Sequence, residues 1–180
     1  MGVTISGRTD LLLAAVEIIA IALIFTSFMT WIRFDSTEVF LGGAPHSTST
    51  EITGDDLTGA TDLGDGVVTA VAGSLAAVFA IASRFAAGSR AILAAGVAIA
   101  GLTACGVATY DIFKDWVSGT GVIVAVEVDV SLYAAMFITA VLGLAQGLAG
   151  LTLFLMAQRA AEAERIAATT DDSGEAETWA

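Results

Sequence analysis

The chain has 180 residues, 56% of them hydrophobic, and 19 acidic against 7 basic residues give a formal net charge of -12. A mean hydropathy of +0.83 is too high for a soluble core of this size, and so acidic a surface repels nucleic acid. The single cysteine, Cys105, excludes an intramolecular disulfide and any cysteine-built metal cluster.

Four apolar stretches follow one another, at about 11–31, 66–83, 91–110 and 131–158. Each is long enough for a helix to cross roughly 30 Å of hydrocarbon, whereas a membrane barrel would need many alternating segments of about ten residues. The expected fold is therefore all-α and integral to the membrane: a four-transmembrane-helix bundle carrying a small extracellular β cap. Residues 1–158 form one membrane domain with outer loops at 32–65 and 111–130, and 159–180 form an acidic cytoplasmic tail.

The first stretch begins after Arg8 and outlasts a signal-peptide core, with no small-residue cleavage pattern close behind it. The start Met1-Gly2-Val3-Thr4-Ile5-Ser6 fits the loose myristoylation pattern, which adds little to four spans. Glu17 lies within this span. An acid at that depth is a functional candidate by default, but a structural role is the stronger reading, with Glu17 either reaching the cytoplasmic interface or pairing with Arg84 or Arg90 at the same membrane side.

Between 32 and 65 the chain turns to Thr, Ser, Gly and acids. Gly42-Gly43-Ala44-Pro45 marks a turn between β-prone pieces around 37–41 and 48–53. Asp55, Asp56, Asp62 and Asp65 crowd the entry to the second span, yet their spacing is not that of an EF-hand loop. The expectation is that Asp65 caps the second helix, and that Asp55, Asp56 and Asp62 present a partner-binding outer surface. No metal or cofactor is expected.

Arg84 and Arg90 bracket the short connection to the third span, and with Arg8, Arg159 and Arg165 they place both termini in the cytoplasm. Trp31, Tyr110, Trp116 and Tyr133 fall at the opposite side, where an aromatic belt is expected. Cys105, in the third span, reads as a small hydrophobe, and the sole histidine, His46, gives no reason to pair it with a base.

After 111 the run Val122-Ile123-Val124-Ala125-Val126-Glu127-Val128-Asp129-Val130 alternates valine with carboxylates. A strand paired with the first loop is favoured over an early start of the fourth helix, which would carry two acids into the membrane. In the fourth span Gly143, Gly147 and Gly150 flank Gln146. Small residues four apart permit close helix approach, and the amide can hydrogen-bond across the contact, within the bundle or to another chain. The tail is expected to stay helical to about 165 and then lose helix near Asp171-Asp172-Ser173-Gly174.

The arrangement resembles claudin-like four-helix membrane proteins, with cytoplasmic termini and a β-bearing first loop. Only Trp31 corresponds to that family's outer motif, and the cysteine pair is absent, so paracellular sealing does not carry over. A nearer resemblance is to small prokaryotic four-span proteins of unassigned function, on Thr30-Trp31, Gly54-Asp55-Asp56-Leu57 and Gly64-Asp65-Gly66. The composition also resembles that of extreme halophiles.

No phosphate loop, dinucleotide fingerprint or nucleophile–base pair is present, so enzymatic activity is not expected. The leading expectation is a cell-membrane scaffold or accessory protein. It would contact the bilayer and bind another membrane protein or a second copy through its acidic cap or a helix face. The alternative is a small transporter or channel using Glu17.

Overall fold

The computed structural model describes residues 3–38, 46–53, 64–118, 126–132 and 134–176. In chain order these form α1 (Val3–Ser27), β1 (Thr30–Glu38), β2 (His46–Thr53), α2 (Asp65–Phe85), a 3-10 turn (Ala87–Ser89), α3 (Arg90–Ser118), β3 (Val126–Leu132) and α4 (Ala134–Ala176). The four helices pack as an antiparallel ring, each against the next and α4 back against α1.

All four are long and apolar enough to cross a membrane, over Gly7–Ser27, Asp65–Phe85, Arg90–Lys114 and Ala134–Thr169. Large apolar side chains point outward on every one, among them Ile18, Phe25, Val78, Ile99, Val141 and Leu148. An outward apolar girdle on a bundle of this length needs lipid rather than water around it. This is a multi-pass membrane protein.

Small residues set how closely the helices approach. On the α3–α4 seam a Cβ on Gly101 would run into the backbone of α4, with Gly143 O at 2.8 Å, and one on Gly143 would stand 2.5 Å from Cys105 N. Gly150 is held equally close to the backbone of Ala98. The glycine stripe of α4 thus serves packing inside the bundle. On the other seams Gly73 meets Ala20 O at 3.1 Å, and Gly96 faces the ring of Phe79. Leu13, Val16, Leu23, Val97 and Leu153 fill the interior together with alanines.

Local chemistry explains most of the element ends. Ser27 Oγ donates to Leu23 O at 2.7 Å, and Phe28 N and Met29 N reach back to Phe25 O and Thr26 O, which satisfies the last carbonyls of α1. Before α2, Gly64 has φ 81, a conformation costly for residues with a Cβ. Asp65 is the first residue of α2 rather than its cap, and the cap position is held by Gly64, which has no side chain to bond. The acid of Asp65 still suits the positive pole of the helix.

Several boundaries differ from the sequence expectation, beginning with α1, which starts at Val3. Trp31 belongs to β1, because α1 ends at Ser27. α3 runs on to Ser118, through a segment placed in the second loop, since no Gly or Pro interrupts it before Gly119. α4 continues to Ala176 through Asp171, Asp172 and Gly174. The alanine-rich stretch preceding them extends an existing helix, and adding a residue to a formed helix avoids the nucleation cost.

β1 is the centre of a three-stranded sheet of order β2-β1-β3, antiparallel on both sides. Residues 126–130 therefore pair with the first loop, as the valine–carboxylate alternation indicates; β3 runs on to Leu132, so 131 and 132 belong to the sheet and not to the fourth span, and 122–125 lie outside the described residues. Observed β1 and β2 also begin earlier than the expected pieces. The register collects Ile32, Phe34, Ile52, Val128, Val130 and Leu132 in one set of cross-strand rows. The alternate rows hold Arg33, Asp35, Ser49, Glu51, Glu127 and Asp129. The first set also takes in Ser36, Glu38, His46, Thr48 and Thr50, and the second Thr37, Ser47 and Ser131, so the apolar residues gather in one set of rows and the acids other than Glu38 in the other, each among hydroxyl residues.

Candidate functional site

Polar groups inside the bundle occupy three levels. Nearest the sheet is a buried hydroxyl girdle. Ser27 Oγ and Thr69 Oγ1 share a 2.6 Å hydrogen bond between α1 and α2, and Thr139 Oγ1 lies 2.9 Å from Thr26 Oγ1, joining α4 to α1. Trp31, fully buried, donates from Nε1 to Thr26 O at 2.8 Å and packs with Ala108, Ala135 and Met136. The expected interfacial role of Trp31 gives way to a structural one: its ring closes the bundle end and its indole N–H satisfies a carbonyl near the end of α1. Tyr110, by contrast, is half exposed. Asp65 and Asp111 are both buried at this end. Asp111 was expected in a loop and instead lies in α3.

At mid-bundle stands Gln146. Its side chain is fully buried, and neither its oxygen nor its nitrogen has a hydrogen-bond partner among the described residues. Thr139, Gln146 and Leu153 are seven residues apart and buried, so they share the inward stripe of α4. The interhelical bond that this amide could make within the bundle is not made to any described residue.

Glu17 and Arg84 define the opposite end. Arg84 Nε donates to Glu17 Oε1 at 3.0 Å, which ties α1 to α2. The arginine side chain is 35% exposed and the glutamate 27%. The pair joins a residue several turns inside α1 to the last turn of α2, so the arginine stem must run back along the bundle. Beside it, Arg90 Nε donates to Ser83 O at 3.3 Å across the α2–α3 turn. Residues of all four helices line an open-ended vestibule of about 650 Å³ here, with Leu13, Ala94 and Leu153 at its buried base.

Other expected groups do not assemble into chemistry. Asp55, Asp56 and Asp62 lie outside the described residues. Among the described residues, no group of three or more His, Cys, Asp or Glu is placed to hold a metal ion. Cys105 is half-buried, 3.8 Å from the hydroxyl of Thr109, and His46 opens β2. In the sheet, Arg33 lies 3.9 Å from Glu51, a loose exposed pair.

Sequence reasoning missed the girdle and Asp111. Hydroxyls near the ends of three apolar stretches were the available signal, but which of them meet depends on how each helix is rotated. No protein-family model matches the chain, and no curated protein matches it as a relative. The site therefore has to be read from its own geometry.

Proposed function

We propose that this protein is a non-catalytic membrane scaffold or accessory protein that binds a partner through its sheet cap, with the cap outside the cell and both termini in the cytoplasm. The observation that carries the reading is that the sheet gathers its apolar residues in one set of rows and Asp35, Glu51, Glu127 and Asp129 in the other, with β2 and β3 as the outer strands among the described residues. Such a surface offers both backbone edges and charge for recognition. The orientation rests on Arg84, Arg90 and Arg159 lying at the end of the bundle remote from the sheet.

Two features support structure over transport. Glu17 is already neutralised by Arg84, and a conducting acid needs to exchange its proton with water. The α3–α4 seam is closed by backbone-to-backbone glycine contacts, and apart from Gln146 the core between the helices is filled by Leu13, Val16, Leu23, Val97 and Leu153. Many secondary transporters form their sites from broken helices near mid-membrane, whereas all four spans here are unbroken. One observation favours the transporter or channel reading, namely the unbonded amide of Gln146 at mid-bundle.

The test is purification in mild detergent followed by mass spectrometry, comparing the native chain with Glu51→Lys. Residue 51 is exposed on β2, and the charge reversal leaves the four spans untouched. A partner that co-purifies with the native chain and is lost with Glu51→Lys supports the reading. Equal recovery of every component with both chains contradicts it.

A further inference from the structure

The vestibule at the arginine end has the form of a binding site for one bilayer lipid. Its volume of about 650 Å³ falls within the range of small-molecule sites. Its base is apolar: Leu13, Ala94, Leu153 and Met156 lie within the membrane-spanning stretches, where an acyl chain would be in its own medium. On the α4 side the wall is made by Ala157, Ala160 and Ala161, whose small side chains leave space opposite Thr9 and Leu13 of α1. The α1–α4 seam is also the least extensive of the four. A chain can enter from the bilayer by that seam without parting a glycine-locked contact.

The rim is charged with both signs. Arg84 and Arg90 face Asp10 and Glu164 around the opening. Each guanidinium is fixed through Nε, Arg84 to Glu17 and Arg90 to Ser83 O. Fixing Nε orients the fork and leaves the terminal nitrogens to take a phosphate. With Arg84 neutralised by Glu17, a purely anionic head would meet Arg90 beside the carboxylate of Glu164. A head that carries an ammonium beside its phosphate satisfies both signs.

We propose that the vestibule binds one zwitterionic amine-bearing phospholipid. Its phosphate sits on Arg90, its ammonium on Glu164, and its acyl chain on the Leu13–Leu153 base. The site is independent of the partner-binding cap, since it lies at the opposite end of the bundle.

The experiment reconstitutes the full chain in nanodiscs of phosphatidylethanolamine and phosphatidylglycerol in equal parts and counts retained lipids by native mass spectrometry. The native protein is expected to retain one phosphatidylethanolamine per chain. Arg90→Gln should lower that occupancy about tenfold, the effect of losing a charge-assisted hydrogen bond. Glu164→Gln should shift the retained lipid toward phosphatidylglycerol. Ala157→Leu fills the wall without changing charge and should also reduce retention, while unchanged helical circular dichroism shows that each variant is folded. A third arm adds soluble phosphoethanolamine, which is expected not to displace the lipid because it has no chain for the base. Retention of phosphatidylglycerol by the native protein overturns the proposal. So does displacement by the soluble head group, or occupancy unaffected by Arg90→Gln and Ala157→Leu.

Discussion

Replacing Gly101 by alanine tests the packing of the bundle at its tightest point. The new methyl would enter a space bounded by backbone atoms, with Gly143 O at 2.8 Å and Gln146 C at 2.9 Å. No rotamer change can relieve a clash with backbone. Ordinary carbon contacts lie at about 3.5–4.0 Å, so α3 and α4 must part by roughly 1 Å along this seam. Overpacking of this kind costs about 1–3 kcal/mol, and the better helix propensity of alanine returns at most about 1 kcal/mol. The expected net loss is about 1–2 kcal/mol. Gly106 is the control. It lies on the same helix, is exposed, and has no atom within 4 Å of an added Cβ, so Gly106→Ala should be neutral or slightly stabilising. The assay is reversible unfolding in mixed micelles of dodecyl sulfate and a mild detergent, followed by circular dichroism. Gly101→Ala unfolding at the same denaturant fraction as Gly106→Ala would refute a backbone-to-backbone seam.

Three further outcomes follow from the same geometry. In a double-mutant cycle, Glu17→Gln and Arg84→Gln should each destabilise by less in the presence of the other, a weak favourable coupling because the pair is partly exposed; additive effects would mean that the ion pair contributes nothing. Gln146→Leu should keep or raise stability by about 1–3 kcal/mol, since it removes a buried amide with no bonded partner among the described residues; a loss of more than about 1 kcal/mol would show that the amide makes a stabilising interaction. In a Cys105→Ala background, cysteine at Ser49 on β2 should react with an impermeant reagent from outside the cell and cysteine at Ser89 should not; the reverse pattern would invert the proposed orientation.

The spans were legible because lipid imposes a length and an apolar composition that few other structures require. Gly143, Gly147 and Gly150 were legible because small residues on one face have one main use in a membrane helix. The Glu17–Arg84 pair followed from matching an intramembrane acid to the basic end of a neighbouring span, and β3 from its alternating valines. Trp31 was misplaced because position near a span end suggests the membrane interface, whereas the end of α1 at Ser27 turns the ring inward. Asp111 was misplaced because an acid after an apolar run suggests a loop, and burial against neighbouring helices overrides that tendency. The hydroxyl girdle and the vestibule depend on relative helix rotation and splay, which no single stretch of sequence encodes.

Ion flux in proteoliposomes tests most directly whether this closed, internally neutralised bundle is a scaffold. The native protein, reconstituted with a pH-sensitive dye or a cation indicator inside the vesicles, is expected to leak no faster than protein-free vesicles, and Glu17→Gln should behave the same. Proton or cation flux in the native protein that Glu17→Gln abolishes would contradict the scaffold account and establish transport through Glu17.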